Sequence, residues 1–385
     1  MRTPASLAAG ALLLCLAAPF ATPAVSPTVP QAHGAEPAHA APGAPYRVPA
    51  VNPPAKAATP WGAQVFVPPE RYTVACSQGP TGTVATPTGP QRVMLTASHC
   101  VNQIPGLPEP STTITVPIGD GYTRIGTRGP NSGPTTDTHS IADLPAALTE
   151  PDWAFVLIDD TVTATNLSHS RDVAGVSAGD PVQLTGIRDY RTLRPGEYSV
   201  DNFGQPICKD GATTGRSCGR QIARSRNTIY SVGVAVEMGD SGGVNFDPRD
   251  GAVIGTTNGG IGPLFGSQAA DRAIESAYGI PDGQVNQAFK IADPAPRAEF
   301  TTTGAERERI DQATWELNPD FVPPNPEAEL RRAVDEAGQA AHETARQALH
   351  GGVDAGEVQR LVDKHGNDIA LWGGFALDAK IKSAR

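Results

Sequence analysis

The chain has 385 residues, of which 39% are hydrophobic and 18% are charged, so it carries enough apolar material for a sizeable core. Asp and Glu together number 40 against 30 Lys and Arg, which gives a net charge of −10 at pH 7. Nucleic acid is excluded as a partner, because phosphate binding needs clusters of Lys and Arg and no such cluster occurs.

The first 24 residues have the features of a secretory signal peptide. Arg2 supplies one positive charge, a mostly apolar run extends from 7 to 20, and small residues such as Ala21 and Ala24 offer a peptidase a cleavage site. A membrane anchor is the alternative, but the run is short for a span and no later stretch of about 18 apolar residues exists. We therefore expect a secreted, extracellular protein, with association with the cell envelope as a further option.

Residues 25–60 are dominated by Ala, Pro, Val and Thr with scattered charge. This composition favours an extended, solvated chain over packed structure. The sequence therefore predicts a disordered linker or pro-segment there.

Between residues 61 and 293, short β-branched runs alternate with Gly and Pro turns. Many short strands with regular turn signals indicate an all-β barrel or sandwich. A helix is predicted to close this region from Ala269 to Tyr278, because Gly279 and Pro281 supply a stop signal. The clearest strand candidates are 92–96, 111–116, 181–185 and 252–257.

Residues 294–385 change to a helical period and are predicted to form a separate appendage. Small and apolar residues recur at helical spacing from Pro326 to Leu349, and Gly351 and Gly352 end that helix. Two further helices are predicted over 356–365 and 368–382. We expect this region to bind a protein or a cell-envelope component, with an inhibitory segment as the alternative.

Five cysteines are present, of which Cys15 would leave with the signal peptide. The remaining four form an even set in an exported chain, which suggests disulfides. Three pairings are possible, and Cys76 with Cys100 and Cys208 with Cys218 are the local ones. A structural zinc site is the competing interpretation, but the tight Cys-x-x-Cys spacing that it usually needs is missing. We predict no metal and no cofactor.

Three motifs together point to a nucleophilic serine. Ser241 stands in Gly-Asp-Ser-Gly-Gly, His99 lies in Thr-Ala-Ser-His-Cys, and Asp152 opens an apolar run. A serine hydroxyl is a poor nucleophile unless a base and an orienting acid activate it. The chain order His, Asp, Ser is that of chymotrypsin and differs from that of subtilisin and the α/β-hydrolases. The alternatives to Asp152 in this part of the chain are Asp143, Asp159 and Asp160.

Acyl transfer assigns a role to each of these residues. Ser241 Oγ would attack the carbonyl carbon, His99 would take its proton and pass it to the leaving group, and Asp152 would orient the imidazole. The amides of Gly239 and Ser241 would form the oxyanion hole. Loss of one such donor costs roughly 2.7 to 4 kcal/mol of barrier, so their orientation matters as much as the triad.

These motifs resemble those of the bacterial, secreted branch of the chymotrypsin fold, the streptogrisin and α-lytic protease group. The stretch from Cys208 to Gly219 resembles a disulfide loop in the second barrel of that group, and Cys76 resembles the cysteine that pairs with the one after the catalytic histidine. Val253–Gly260 resembles the strand that pairs with substrate. The resemblance implies an all-β fold of two six-stranded antiparallel β-barrels with a C-terminal helix, followed by the helical appendage. It places the triad in the cleft between the barrels.

The same resemblance implies an ion pair below the serine. The group usually has an arginine after the first cysteine of the disulfide loop, and this arginine pairs with the aspartate before the catalytic serine. Lys209 takes that position here, so we expect a Lys209 to Asp240 pair that holds the oxyanion loop in its active shape. Ala235 stands close to a family cysteine, which removes a third disulfide, and Asn258 stands where a serine normally supports the catalytic aspartate.

Substrate preference is predicted from the walls of the pocket. The segment 231–236 carries no acidic residue to select Lys or Arg, and 256–260 carries no histidine to select Glu. We therefore predict a monomeric serine endopeptidase that acts on proteins or peptides and prefers small or medium apolar side chains at P1. A catalytically weak binding module and an esterase with the same triad are the alternatives. The predicted substrate-binding residues are Ala235, Asn258, Gly259 and Gly260.

Overall fold

The computed structural model describes residues 36–135, 149–349 and 352–383, and residues from Glu36 onward belong to one compact unit. The predicted signal peptide, the first part of the predicted linker and Asp143 lie outside the described residues. The signal peptide therefore stays a prediction.

Most of the described chain consists of short strands. The first ten are β1 (Pro45–Val48), β2 (Lys56–Ala58), β3 (Gln64–Phe66), β4 (Val74–Ser77), β5 (Thr81–Thr86), β6 (Gly89–Thr96), β7 (Thr113–Ile118), β8 (Gly121–Asn131), β9 (Ala154–Ile158) and β10 (Leu167–Ser168). The other nine are β11 (Val182–Gln183), β12 (Gly186–Ile187), β13 (Pro206–Gly211), β14 (Gly215–Arg224), β15 (Thr228–Val232), β16 (Val244–Phe246), β17 (Ala252–Ile261), β18 (Leu264–Ala269) and β19 (Phe289–Ile291).

These strands form two large sheets and two small hairpin-like pairs. The first large sheet has the order β19-β5-β6-β9-β8-β7-β1-β4, and all its pairs are antiparallel. The second has the order β12-β17-β16-β13-β14-β15-β18, and β17 also pairs with β18. That extra pairing closes six antiparallel strands into a barrel, while β12 adds to β17 in parallel. The predicted fold of two β units is confirmed, and the first sheet has eight strands because β1 and β19 add to the six others.

Five α-helices lie wholly within the described residues, besides the 3-10 helices Pro69–Tyr72 and Ser98–Cys100, and most of the five lie near the C-terminal end. They are α1 (Ala270–Tyr278), α2 (Val285–Ala288), α3 (Thr303–Glu316), α4 (Pro326–Leu349) and α5 (Ala355–Ser383). The predicted closing helix is α1, which ends at Gly279 in the left-handed conformation, and the helix predicted over 326–349 is α4. None of the described helices is long and apolar enough to cross a membrane.

Three predictions about the flanking regions are wrong. Residues 45–48 were expected to be disordered but form β1, a fully buried strand that bonds to β4 and β7. The two helices predicted over 356–365 and 368–382 are one helix, α5, because an isolated Gly366 is tolerated inside a helix. The helix α3, which the sequence analysis did not predict, packs on the first sheet, so the C-terminal region is not a separate appendage.

The contact between α3 and the first sheet is a buried ion pair. Arg47 on β1 donates to Glu306 on α3 through Nε at 2.7 Å and through a second guanidinium nitrogen, and Tyr122 donates to the other Glu306 oxygen at 2.6 Å. Trp372 on α5 stacks on Trp61 of the β2–β3 hairpin with ring centroids 5.8 Å apart. Trp372 therefore packs against an element outside the C-terminal region.

Successive side chains along a strand face different apolar clusters, as the pleat of a β-sheet requires. On β6, Met94 belongs to an apolar cluster formed by the strands of the first sheet. Val93 and Leu95 point the other way, to a second cluster that also contains Phe246 of the second barrel and Ile274 of α1. This shared cluster joins the two β units. Apolar burial therefore holds the two sheets against each other.

Both local disulfides are present. Cys76 on β4 is bonded to Cys100 in the 3-10 turn Ser98–Cys100, and Cys208 is bonded to Cys218 across the β13–β14 pair. The first bond ties the turn that carries His99 to a neighbouring strand. The second braces the hairpin that carries Lys209.

Candidate active site

His99 and Asp152 form a hydrogen-bonded pair next to the ends of two neighbouring strands of the first sheet. His99 lies in the turn after β6, and Asp152 lies two residues before β9, which pairs with β6. His99 Nδ1 is 2.8 Å from Asp152 Oδ2, and the His99 backbone N–H donates to Asp152 Oδ1 at 3.0 Å. The carboxylate thus fixes both the imidazole ring and the backbone of the same residue.

The pair changes the protonation of the imidazole. Burial lowers the pKa of His99, but the charge of Asp152 and the hydrogen bond to it together outweigh burial, so the pKa lies above the ordinary 6.5. Asp152 is buried, whereas 27% of the His99 side chain is exposed. His99 therefore keeps one side open to solvent while its other side is held by the carboxylate.

Ser241 lies in a tight turn that the first sheet supports. Its carbonyl accepts the Ser77 N–H at 2.8 Å. The adjacent Gly242 has a φ of 77° and lies so close to β6 that a Cβ there would meet Thr96 Oγ1 at 2.1 Å. Because Thr96 stands three residues before His99, this contact brings the serine turn to the base of the histidine turn. Within the described chain Ser241 Oγ makes no hydrogen bond, a common state in structures without substrate.

Asp152 receives support that the sequence analysis did not predict. The Asp152 N–H donates to Gln268 Oε1 of β18 at 2.8 Å, and Gln268 is buried. Asn258, which stands at the position of the supporting serine, makes no hydrogen bond to Asp152 in the part of the chain that the structure describes. A single glutamine between Ser267 and Ala269 gives no local signal for this contact.

The serine turn, residues 238–243, which the sequence predicts to be the oxyanion turn, presents two free donors. Gly239 has a φ of 100°, which favours glycine, and its N–H has no acceptor among the described residues. The N–H of Ser241 is likewise without an acceptor there. Two uncommitted amides beside a serine are what stabilisation of a developing oxyanion requires.

Lys209 and Asp240 form a buried pair below this turn. Lys209 Nζ lies 3.0 Å from Asp240 Oδ2, and both side chains are fully buried. Lys209 also donates to Thr214 Oγ1 at 2.6 Å and to Gly215 O at 3.1 Å. Burial lowers the pKa of Lys209, and the charge of Asp240 opposes that effect.

Asp240 is also saturated with hydrogen bonds from the hairpin loop between β13 and β14. Its Oδ1 accepts the N–H groups of Thr213 and Thr214 at 2.9 and 3.0 Å, and its Oδ2 accepts the Thr214 hydroxyl at 2.7 Å and the Glu237 N–H at 3.0 Å. The carboxylate before the serine therefore joins three segments. Thr213 and Thr214 lie in the Cys208–Cys218 disulfide loop, whereas Asp240 lies 27 and 26 residues further along the chain.

The predicted substrate-binding residues lie on two facing segments. Asn258, Gly259 and Gly260 are on β17, and Ala235 is opposite, where its N–H donates to Ser217 Oγ at 2.8 Å. The adjacent Val236 closes the space between the segments, because a Cβ on Gly260 would lie 2.6 Å from Val236 Cγ1. By contrast a Cβ on Gly259 would meet nothing within 4 Å.

Other titratable groups are committed elsewhere. Asp159, an alternative to Asp152, bonds Arg124 Nε at 2.8 Å at the surface. Asp189, Glu275 and Asp282 bring carboxylate oxygens within 4.8 Å of one another on the second barrel. Thr192 donates to Glu275 and Asp282 in that cluster.

No protein-family model matches the chain, and no curated protein matches its sequence. The structure is similar to the crystal structure of Thermobifida fusca protease A, at 18% identity, 66% coverage of this chain, 98% coverage of that chain and a TM-score of 0.37. It is similar to Cellulomonas bogoriensis chymotrypsin at 19% identity, with 62% and 96% coverage and a TM-score of 0.33. It is also similar to a glutamic acid-specific serine protease with a histidine triad in substrate binding, at 19% identity, 53% and 91% coverage and a TM-score of 0.34.

The strand order shows two antiparallel β units. A closed six-stranded antiparallel barrel lies beside an eight-stranded antiparallel sheet, and the C-terminal helices follow. The chain has the two antiparallel β units and the helical C-terminal region that the sequence predicted.

Proposed function

We propose that the protein is a secreted serine endopeptidase that hydrolyses peptide bonds through an acyl-enzyme. The observation that carries this proposal is the His99–Asp152 pair, with Nδ1 and Oδ2 2.8 Å apart, beside a serine turn with two free amides. These are the base, the orienting acid, the nucleophile and the oxyanion donors of acyl transfer. The two disulfides fit an oxidising, extracellular environment.

In the proposed mechanism His99 Nε2 accepts the Ser241 proton as Oγ attacks the carbonyl carbon. Asp152 holds the Nδ1 proton and stabilises the imidazolium that forms. The amides of Gly239 and Ser241 receive the oxyanion, and His99 then gives its proton to the leaving amine. Water repeats the sequence on the acyl-enzyme and releases the acid.

We further propose a preference for small or medium apolar P1 side chains. Val236 occupies the space beside Gly260, so a long side chain does not fit between the two pocket walls without displacing it. Neither wall offers a buried charge at this contact. The register of β16 with β17 ends at Thr256, whereas β18 continues to pair with β17 beyond it, so the opposite edge of β17 at Gly259 can offer an extended substrate its hydrogen-bonding partner.

The proposal is tested by labelling and turnover of the full chain. A fluorophosphonate probe should label wild-type protein at Ser241, and Ser241→Ala should lose the label while it keeps the wild-type thermal unfolding midpoint. Matched peptide and ester substrates with Ala, Val, Phe, Arg and Glu at P1 then establish the bond and the side chain that are preferred. Folded wild-type protein that takes no label would contradict an enzymatic function and favour a binding module, and hydrolysis of esters alone would favour an esterase.

A further inference from the structure

The structure holds the two oxyanion donors in different ways. The Ser241 N–H belongs to the peptide whose carbonyl, Asp240 O, accepts the Gly243 N–H at 3.0 Å, so the turn itself fixes that donor. The Gly239 N–H belongs to the peptide whose carbonyl is Met238 O. No backbone N–H of the described chain bonds Met238 O, so the direction of the Gly239 donor depends on another group.

That group is the hydroxyl of Thr213. Thr213 Oγ1 donates to Met238 O at 2.9 Å, and the threonine is buried. A trans peptide directs its C=O and N–H to opposite sides, and the described chain has no cis peptide bond. Because Met238 O turns inward to Thr213, the Gly239 N–H turns outward to the cleft.

Thr213 is itself firmly placed. Its N–H donates to Asp240 Oδ1 at 2.9 Å, and its carbonyl accepts the Val173 N–H at 3.0 Å. A Cβ at Gly239 would meet Thr213 Oγ1 at 2.4 Å, so the hydroxyl lies directly against the oxyanion turn. The hydroxyl therefore has little freedom to leave Met238 O.

We infer that Thr213 is a positioning residue of the oxyanion hole, an inference that rests on the proposed peptidase function. Thr213 acts through the Met238–Gly239 peptide and does not touch the substrate. If that peptide turned over, Met238 O would face the cleft in place of the Gly239 N–H. The triad and the substrate strand would remain, but one of the two oxyanion donors would be lost.

Ser77 supports the next peptide from the first sheet. Its Oγ donates to Gly239 O at 2.7 Å and accepts the Ala212 N–H at 2.8 Å, and its own N–H donates to Ser241 O at 2.8 Å. Ser77 is on β4, whereas Thr213 is in the β13–β14 loop. The turn is thus held by one hydroxyl from each β unit.

The test compares Thr213→Val, which removes the hydroxyl, with Thr213→Ser, which keeps it. We expect Thr213→Val to lower kcat/KM for a peptide and the rate of fluorophosphonate labelling at Ser241 by about tenfold, the effect of one hydrogen bond on a barrier. KM should change little, because the donor is needed most when charge develops on the oxygen. Thr213→Ser should stay within about twofold of wild type. The acid limb of the pH profile should not move, since His99 and Asp152 are untouched.

Thr81→Val is the matched control. Thr81 is also buried, and its Oγ1 donates to Thr165 O at 2.7 Å, a contact that does not involve residues 238–243. It should lower the thermal unfolding midpoint without lowering kcat/KM. Thr213→Ala serves as a second variant without the hydroxyl, with less steric demand than valine.

Two outcomes separate this inference from the proposed function. Labelled wild-type protein together with an equally reactive, folded Thr213→Val or Thr213→Ala would overturn the inference alone, as would a loss confined to KM. Folded wild-type protein that takes no label would overturn the proposed function and the inference with it. A tenfold loss that Thr213→Ser restores would support both.

Discussion

The protonation of His99 sets the expected pH dependence of the site. Only neutral imidazole can accept the Ser241 proton, so kcat/KM should fall as pH drops through the His99 pKa. Because Asp152 holds that pKa above 6.5, we expect the midpoint of the acid limb to lie above 6.5. The pair also stabilises the fold below pH 6.5, and this stabilisation is lost as pH rises through the raised pKa.

A pH profile of kcat/KM on a neutral peptide measures this midpoint. A midpoint below 6.5 would show that burial prevails over the Asp152 charge.

Asp152→Asn removes the charge and should lower kcat by about four orders of magnitude, because the imidazole then takes the wrong tautomer.

Val236 is expected to decide which P1 side chains fit. Val236→Gly removes the methyl that lies against Gly260, so the ratio of kcat/KM for Phe over Ala at P1 should rise by about tenfold. The ratio is measured on peptides that differ only at P1. Val322→Gly, at an exposed valine outside the pocket, is the control, and an unchanged ratio in Val236→Gly would remove Val236 from the pocket.

The charge of Lys209 is expected to be needed for both stability and activity. Lys209→Ala leaves Asp240 buried without its cation, and loss of one partner of a buried pair costs about 3 to 5 kcal/mol. The free energy of unfolding in denaturant and kcat/KM should both fall. Lys290→Ala, at an exposed lysine that bonds only the Asn286 carbonyl, is the control. Lys209→Ala with unchanged activity and stability would contradict the role that we assign to the pair.

At the scale of elements, α3 joins the first sheet to the loop that holds the oxyanion turn. Besides the Arg47–Glu306 pair, Thr303 at the start of α3 donates to Ala212 O at 3.0 Å, one residue before Thr213. The next residue is Gly304, and a side chain would not fit there because a Cβ would lie 2.0 Å from Val173 O. The first turn of α3 therefore packs directly on the segments that position Thr213.

Glu306→Ala is expected to loosen this helix. Arg47 would lose its carboxylate while it stays buried, so the free energy of unfolding should fall by about 3 kcal/mol. Chemical denaturation measures the loss. Glu299→Ala, which breaks an exposed pair with Arg171, should cost less than about 1 kcal/mol. Equal losses in the two variants would mean that α3 is only weakly coupled to the sheet.

At the scale of the whole molecule, the sequence allowed prediction of those features that depend on a few neighbouring residues, such as short motifs and helix ends. His99, Asp152 and Ser241 each stand in a short motif with its own neighbours, and α4 begins and ends where its proline and its glycines require. Gln268 and Ser77 carry no such signal, because their importance comes from partners that lie 116 and 162 residues away. Side-chain hydrogen bonds between distant strands are set by topology, and one sequence does not reveal them.

The strand β1 shows the same limit and has a practical consequence. Its Ala and Pro-rich surroundings resemble the kind of leader that a secreted enzyme discards, yet its backbone bonds to β4 on one side and to β7 on the other. Arg47 in its middle also anchors α3. If the chain were cut at residue 60 and the released peptide left, the first sheet would lose β1 and Glu306 of α3 would lose Arg47. We therefore expect a processed protein that keeps this fold to begin upstream of Pro45.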